Sequence, residues 1–207
     1  MKRLRIVACF AMGLCLAGAP ALAIEQPAYT VESKDRDFEV RLYQPYLVAE
    51  VTTSGNQKQS VQAGFQKLAG YIFGGNHGRA RIAMTSPVAQ TPQGEKIAMT
   101  SPVTQTPADP GRWSVQFMMP GAYSLESLPR PNDPDIEFRQ VPGRAMAALT
   151  FSGVANDRMY QEKSSALRQW VADQGLRGRG ETVLAQYDPP WIPWFLRRNE
   201  VLLELTQ

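Results

Sequence analysis

The sequence has little of the chemistry that covalent cross-links and metal sites require. Its 207 residues include 2 cysteines, Cys9 and Cys15, and a single histidine, His77. Both cysteines lie in an N-terminal segment that we expect to be removed, so the remaining chain has no disulfide, no thiolate metal site and no covalent c-type haem attachment. With one imidazole and no thiol, neither a Ser-His-Asp nor a Cys-His catalytic set is well supported.

Long hydrophobic runs are confined to the N-terminus. Three basic residues among the first five precede an apolar run from Ile6 to Ala19, and a small-x-small pattern of the kind read by signal peptidase follows it. The run is shorter than the roughly 20 apolar residues that cross a bilayer. We therefore expect residues 1–23 to be a signal peptide and residues 24–207 to be one exported domain, periplasmic or secreted, with no transmembrane segment.

Excess charge is also missing once the signal segment is set aside. The whole chain has 22 Lys and Arg against 19 Asp and Glu, and its first 23 residues contain three of the basic residues and none of the acidic ones. The exported part therefore has 22 − 3 = 19 basic residues against 19 acidic ones. This neutral balance lacks the basic footprint of nucleic-acid binding, so we expect no nucleic-acid partner.

The chain does contain one short motif that occurs in two nearly identical copies. Arg81–Pro92 and Lys96–Pro107 differ at two positions, and Thr91–Glu95 has the composition of a turn. Alternating apolar residues predict a hairpin of two strands. We expect Met84 and Met99 to face the inside of the sheet rather than to act as thioether ligands.

A fainter repeat, at an offset of 98 residues, organises the fold. Phe38–Gly55 aligns without gaps on Ile136–Gly153, with six identical positions. Each copy alternates apolar and polar residues and predicts two strands. The Glu-x-Arg of each copy, Glu39 to Arg41 and Glu137 to Arg139, is expected on the solvated face.

Each copy continues into a helix and further strands. The first helical pattern stops at Gly74, and Asn156 or Asp157 caps the second. Two glycines inside the first helix predict that a sheet or a flat ligand packs closely on its backbone. Both halves, about 38–119 and 136–205, read strand, strand, helix, strand, strand. We predict an α+β fold, a distorted antiparallel β-barrel with two flanking helices and an internal pseudo-twofold duplication.

Five short motifs follow one another along the chain. They are Gly70–Asn76, the Ile-Ala-Met-Thr-Ser-Pro-Val block, Pro131–Pro134, Tyr187–Pro190 and Arg197–Val201. Together, from about Tyr29 to Leu205, they resemble the SOUL family of haem-binding proteins. The resemblance implies a distorted β-barrel with two helices, noncovalent binding of haem or a related tetrapyrrole, and export in many bacterial members. The doubled block departs from relatives that carry it once, which suggests that one copy is an inserted hairpin.

The same resemblance implies where a small planar apolar ligand would bind. Some relatives have a histidine in the strand matching Phe38–Tyr43, where this chain has Leu42, so axial coordination of iron from that position is absent. Other relatives hold the tetrapyrrole in an apolar groove beside the first helix. The matching residues here are Gln62, Phe65, Ala69 and Ile72, with the tail loop Trp191–Phe195 nearby.

Two further features are candidates for contact with such a ligand. His77 is the one imidazole that could bind iron, although a solvated loop residue is the favoured interpretation. Trp191 and Trp194 have rings that could stack on a porphyrin, and Arg197 has a guanidinium that suits carboxylates. The alternative is a proline-rich connection whose aromatic residues cap the barrel.

The predicted function is noncovalent binding of haem or a related tetrapyrrole, as a carrier or buffer, with no structural metal and no catalysed reaction. Covering about 400 Å² of a porphyrin would supply roughly 10 kcal/mol. Association costs about 4–15 kcal/mol, which leaves an affinity near micromolar without an axial bond. The alternatives are a hydrolase or small-molecule effector-binding protein that uses the same cleft for another apolar ligand, and an envelope protein whose tail loop meets a partner.

Overall fold

The computed structural model describes residues 24–78 and 94–206. Within them the chain forms 11 strands, two α-helices and one short 3-10 helix. The predicted signal peptide and the first copy of the repeated motif, Arg81–Pro92 with Met84, lie outside the described residues. Among the described residues, no helix is long and apolar enough to cross a membrane.

The elements follow the order that the two sequence repeats predict. In the first half they are β1 (Tyr29–Asp35), β2 (Phe38–Tyr43), β3 (Tyr46–Ser54), α1 (Gln57–Ile72), β4 (Asn76–His77), β5 (Val103–Asp109) and β6 (Arg112–Met118). In the second half they are β7 (Arg130–Pro131), β8 (Glu137–Val141), β9 (Arg144–Ser152), α2 (Asp157–Asp173), β10 (Gly178–Gln186), a 3-10 helix (Trp194–Leu196) and β11 (Arg198–Leu205). The two strands and the helix predicted in each repeat are present.

Nine of these strands form one antiparallel sheet that curls into a half-barrel, which confirms the α+β prediction. The strand order is β1-β2-β9-β11-β10-β5-β6-β3-β8, and β4 pairs with β7 in a separate ribbon. By position in the repeats, β2, β3, β5 and β6 of the first half correspond to β8, β9, β10 and β11 of the second half. If each strand from β2 to β8 in this order is replaced by its counterpart, the same order is obtained in reverse. A duplication predicts this symmetry, and the duplication itself stays a prediction.

Helix α1 begins at an N-cap and packs closely on the sheet. Asn56 Oδ1 accepts a hydrogen bond from the Gln59 N–H at 3.0 Å. The helix lies on β3 and β6, and a Cβ added to Gly64 would come within 2.6 Å of the Val115 side chain. The close packing predicted from the internal glycines is therefore confirmed at Gly64. At Gly70 the sheet does not pack in this way, since no atom of the described residues lies within 4 Å of such a Cβ, and the flat-ligand alternative stays a prediction.

Helix α2 covers the second half in the same way. Of the two predicted caps, Asn156 is the one that the structure shows, and its side chain accepts from the Met159 N–H at 2.9 Å. The buried face of the helix packs on β9, β10 and β11. Trp170 stacks on Phe38 of β2, with ring centroids 5.0 Å apart. Each half of the sheet thus has a helix on its outer side, and the concave side carries a cleft.

The strand predicted for the second copy of the repeated motif is wrong before Val103 and present from Val103 onward. Residues 94–102 contain no strand, and β5 begins only at Val103. Ile97 is buried in the core, and its N–H donates to a carbonyl of α1 at 2.9 Å. Met99 is 44% exposed rather than inward-facing. Pro102 has no N–H to donate, and the ladder starts immediately after it, as expected for a proline at a strand end.

Candidate functional site

The concave face of the sheet holds a cleft with a volume of about 360 Å³. Strands of both halves line it, because alternate residues of each strand point away from the helices. Its floor is apolar and aromatic, with side chains from Tyr43, Met146, Tyr187 and Leu202. Small-molecule sites span roughly 300–1,000 Å³, so this cleft suits a compact ligand.

A buried ion pair lies beside this floor. Arg41 is 2% exposed and Glu200 is 0% exposed. Arg41 donates two hydrogen bonds to Glu200, from Nη1 to Oε2 at 2.7 Å and from Nη2 to Oε1 at 3.0 Å. Tyr187 Oη and Arg198 Nη2 each donate to the same carboxylate at 2.7 Å. Every oxygen of this buried carboxylate therefore has charged or polar donors, as its burial requires.

These donors decide the ionisation of Glu200. Burial alone would raise the pKa of its carboxyl group, but the hydrogen bonds and charge of Arg41, then the bonds from Tyr187 and Arg198, lower the pKa to about 2. The same burial, together with the charge of Glu200, raises the pKa of the Tyr187 hydroxyl far above its usual range. The cluster is thus ionised at the carboxylate and neutral at the phenol over the whole physiological range.

The expectation that the Glu-x-Arg motifs lie on the solvated face is wrong for the first copy. Arg41 points to the concave side, where Glu39 also accepts from its Nε at 2.7 Å. The apolar Leu42 points the other way and is 38% exposed. The Arg41 guanidinium is bonded to Glu200 of β11 rather than to water. The alternation of residues within β2 cannot reveal a partner that comes from another strand. In the second copy Arg139 is half exposed, as expected.

Arg139, which is 98 positions after Arg41, bonds a second glutamate on the concave side. Its Nη2 donates to Glu50 Oε2 at 2.9 Å. Ser114 Oγ donates to Glu50 Oε1 at 2.9 Å, and Gln116 Nε2 donates to Oε2 at 2.9 Å. Sequence reasoning missed this cluster, although the equivalence of Arg41 and Arg139 in the repeat was a signal for paired arginines on one side of the sheet.

The four helix residues implied as a groove are divided between the core and the surface. Ile72 is 1% exposed and belongs to the hydrophobic core between α1 and the sheet, and Ala69 is half-buried against that core. Gln62 and Phe65 are exposed, and the Phe65 ring contacts Phe117 of β6 edge-on, with centroids 5.3 Å apart. The helix therefore offers a surface rather than a deep slot.

One face of α1 and its C-cap is apolar at the surface. Phe65, Ala69 and Phe73 follow one another at intervals of four residues, which places them on one side of the helix. Phe73 is 61% exposed, and eight residues separate it from Phe65, about 12 Å along the axis. We call these three residues the α1 stripe. Sequence reasoning missed Phe73, and its spacing from Ala69 was the signal that would have found it.

A second apolar surface is formed by Trp191–Leu196, which we call the aromatic loop. Its exposed side chains are Trp191 at 78%, Trp194 at 59%, Phe195 at 57% and Leu196 at 64%. The Trp194 and Phe195 rings meet at 88°, with centroids 5.7 Å apart. The 3-10 helix of this loop packs on β9, whereas α1 packs on β3 and β6, so the two apolar surfaces rest on different strands.

Arg197 holds the aromatic loop in shape. Its Nε donates to the Ile192 carbonyl at 2.7 Å, and its Nη2 donates to the Pro190 carbonyl. Two of its donor nitrogens are therefore occupied by the chain itself, and the remaining N–H groups are those that a ligand carboxylate would meet. The neighbouring Arg198 lies over the Tyr187 ring, 4.0 Å from its centroid, and bonds Glu200.

His77 is exposed at the end of the β4–β7 ribbon, where Arg130 is its partner in register. The preceding Asn76 is buried and fixes this turn, because its Nδ2 donates to the Tyr71 and Glu95 carbonyls at 2.8 Å each. An axial role for His77 stays a prediction. Within residues 24–78 and 94–206, no group of three or more His, Cys, Asp or Glu side chains could hold a metal ion.

Comparison with known proteins relates this geometry to a family and a fold. The family model described as SOUL heme-binding protein matches residues 24–204. No curated protein matches the chain. Similar solved structures include a hydrolase from Listeria innocua, with a TM-score of 0.53 and 11% identity over 84% of this chain and 94% of that one. The C-terminal domain of EcmrR has a TM-score of 0.56 and 12% identity over 86% of this chain and 98% of that one. At these identities the likeness to solved structures shows the fold alone.

Proposed function

Because the chain belongs to the SOUL heme-binding protein family, we propose that it binds haem or a related tetrapyrrole noncovalently and serves as a carrier or buffer. The observation that supports this function is the aromatic loop, which exposes four large apolar side chains in six residues. Soluble proteins rarely leave such a patch uncovered without a binding role. We also propose that the domain acts after export, in the periplasm or outside the cell, in line with its N-terminal sequence.

The residues of the aromatic loop fit a planar macrocycle. Trp191 and Trp194 offer indole faces on which a porphyrin can stack, and Phe195, perpendicular to Trp194, offers a ring edge. Arg197 would bind a propionate through the N–H groups that its two backbone carbonyl bonds leave over. Stacking and one such ion pair are consistent with the micromolar affinity expected without an axial bond.

The α1 stripe is the second location that the structure offers for the same ligand. Phe65 and Phe73 are exposed rings on either side of the smaller Ala69 in the stripe, and a flat ring could lie across them. Gln62 lies one turn before Phe65, and His77 follows the stripe beside Arg130. An imidazole and a guanidinium are the groups that suit iron and a propionate, and His77 is four residues after Phe73 in the chain.

A haemin titration followed through the Soret band tests the proposal and distinguishes the two locations. We expect a Soret shift with a dissociation constant in the micromolar range. Trp191→Ala/Trp194→Ala is expected to weaken binding about tenfold or more through lost stacking area. The control Leu176→Ala, an exposed apolar residue after α2, is expected to leave it unchanged.

The remaining variants complete the test. If Phe65→Ala/Phe73→Ala weakens binding and the tryptophan pair does not, the ligand lies on the α1 stripe. An unchanged spectrum in His77→Ala rules that residue out as the axial ligand. If haemin at tens of micromolar gives no Soret change with the unmodified protein, the haem proposal is wrong.

The sequence also left open a hydrolase or an effector-binding protein. One similar solved structure is described as a hydrolase, but at 11% identity that likeness gives the fold alone. We therefore assign no reaction to this chain.

A further inference from the structure

The concave cleft has an unbalanced set of charges at one side. Arg144 Nη1 donates to Glu204 Oε2 at 3.0 Å, and Arg179 Nη2 donates to Glu204 Oε1. All three residues line the cleft. Two guanidinium groups therefore share a single carboxylate, which leaves one positive charge at this site without a matching negative one.

The other charged residues that line the cleft do not supply the missing negative charge. Glu50 is already paired with Arg139, at 2.9 Å. Glu181 also lines the cleft, but its Oε2 lies 3.6 Å from Nη2 of Arg168 on α2. Arg168 is not one of the residues that line the cleft. Three arginines and two glutamates thus remain on the described walls of the cleft after Glu181 is matched with Arg168.

Hydrogen-bonding capacity points in the same direction as charge. Both oxygens of Glu204 already accept a bond, whereas Arg144 and Arg179 each donate through one nitrogen only. Within the described residues, their other guanidinium N–H groups have no acceptor. The side chains of Arg144 and Arg179 are 27% and 68% exposed, so a ligand can reach them. The site has donors to spare and lacks an acceptor.

The apolar floor begins next to these donors. Met146 follows Arg144 by two residues on β9, and Leu202 precedes Glu204 by two on β11, so each apolar side chain shares a face with its charged neighbour. Two residues of a strand span roughly 7 Å. A ligand whose head group binds the arginines would therefore place its body on Met146 and Leu202 if a few bonds separate its head group from its body.

We infer that this cleft is a binding site for a compact amphiphile that has one carboxylate and an apolar or aromatic body. The carboxylate takes the N–H groups of Arg144 and Arg179, as planar guanidinium groups favour, and the body covers the apolar floor. The site is separate from both apolar surfaces proposed for the tetrapyrrole, and it rests on different residues and a different ligand.

Three compounds that differ only in the head group test the inference by isothermal titration calorimetry. They are 4-phenylbutyrate, 4-phenylbutanamide and 4-phenylbutylamine. The carboxylate is expected to bind about tenfold or more tightly than the amide, and the amine least of all, since a charged hydrogen-bonded pair contributes at least that factor. The preference for the carboxylate should weaken at high salt.

Variants locate the site and separate binding from folding. Arg144→Gln and Arg179→Gln are each expected to weaken the binding of 4-phenylbutyrate about tenfold and to leave the binding of 4-phenylbutanamide nearly unchanged. A variant that only disturbed the structure would weaken the binding of both compounds. Arg158→Gln, an exposed arginine at the start of α2, is the matched control and should have no effect. Haemin binding is expected to be unaffected by saturating 4-phenylbutyrate.

Three outcomes would overturn the inference. The first is that 4-phenylbutyrate does not bind at millimolar concentration. The second is that the amine or the amide binds as tightly as the carboxylate. The third is that the arginine variants lose affinity for all three compounds by the same factor. None of them depends on whether haemin binds, so the two proposals succeed or fail independently.

Discussion

The buried carboxylate of Glu200 gives a prediction whose magnitude follows from its contacts. In Glu200→Gln the side chain keeps its shape and loses its charge, so Arg41, which is 2% exposed, keeps only Glu39 as an ionic partner. Leaving one member of a buried ion pair without its partner costs about 3–5 kcal/mol. We expect Glu200→Gln to fold and to have a free energy of unfolding lower by that amount at pH 7.

The pKa of Glu200 gives a free energy of similar size by a second argument. Its folded value of about 2 lies below the ordinary value of 4.5. The difference corresponds to about 3 kcal/mol that ionised Glu200 contributes to folding. Because the folded pKa is the lower one, this contribution is complete above pH 4.5 and is lost as the pH falls from 4.5 towards 2.

Urea unfolding of the unmodified protein and Glu200→Gln, at pH 7 and at several values down to pH 3, measures both effects. With m-values of about 1–3 kcal/mol/M, a loss of about 3–5 kcal/mol should lower the urea midpoint at pH 7 by about 1–5 M. Between pH 4.5 and 3 the two proteins should converge, because the unmodified protein loses what the variant never had. Other acidic groups also titrate there, so the difference between the two proteins is the quantity to follow.

Glu204→Gln is the matched control for this prediction. Glu204 lies on the same strand, also bonds two arginines and is 21% exposed in its side chain. A partly exposed pair of this kind is worth under about 1 kcal/mol. If Glu200→Gln costs no more than Glu204→Gln, or keeps the full pH dependence of the unmodified protein, the assignment of Glu200 as a buried ionised group is wrong.

Two further predictions concern packing and hydrogen bonding, and urea midpoints check both. Gly64→Ala should destabilise by about 1–3 kcal/mol, because its Cβ would lie 2.6 Å from the Val115 side chain. Gly70→Ala, which meets nothing within 4 Å, should stabilise the same helix by up to about 1 kcal/mol. Tyr160→Phe should cost about 1–2 kcal/mol, since the hydroxyl that it removes donates to the buried Thr182 carbonyl at 2.7 Å.

Most of the fold could be predicted because its signals are local. The strands and helices of the two repeats follow from apolar spacing, and Asn56 and Asn156 cap the helices where the sequence places polar residues before them. In the second copy of the repeated motif the strand prediction failed before Val103, because the alternation of Ile97 and Met99 imitates a strand. The structure instead uses that stretch to connect α1 to β5, with Ile97 in the core and Met99 at the surface.

The candidate sites were less accessible to sequence reasoning, because they depend on which elements become neighbours. Trp191 and Trp194 stood out through composition alone, and the structure shows them exposed. Ile72 was expected in a groove and lies in the core, since the same helical spacing serves either purpose. Arg144 and Arg179 come from different strands of the chain, and only their shared bonds to Glu204 show that they lie side by side.

The exchange symmetry of the strand order has a consequence for how this protein comes to be folded. Strand β2 pairs with β9, Phe38 opposite Leu149, and β8 pairs with β3, Ala49 opposite Phe138. Strands β2 and β8, which are the first strands of the two repeats, therefore each pair with a strand from the other half of the chain. During synthesis β2 has no place in the nine-stranded sheet until β9 has left the ribosome, and contacts of such long range make folding slow and cooperative. We therefore expect that neither half folds on its own when separated from the other.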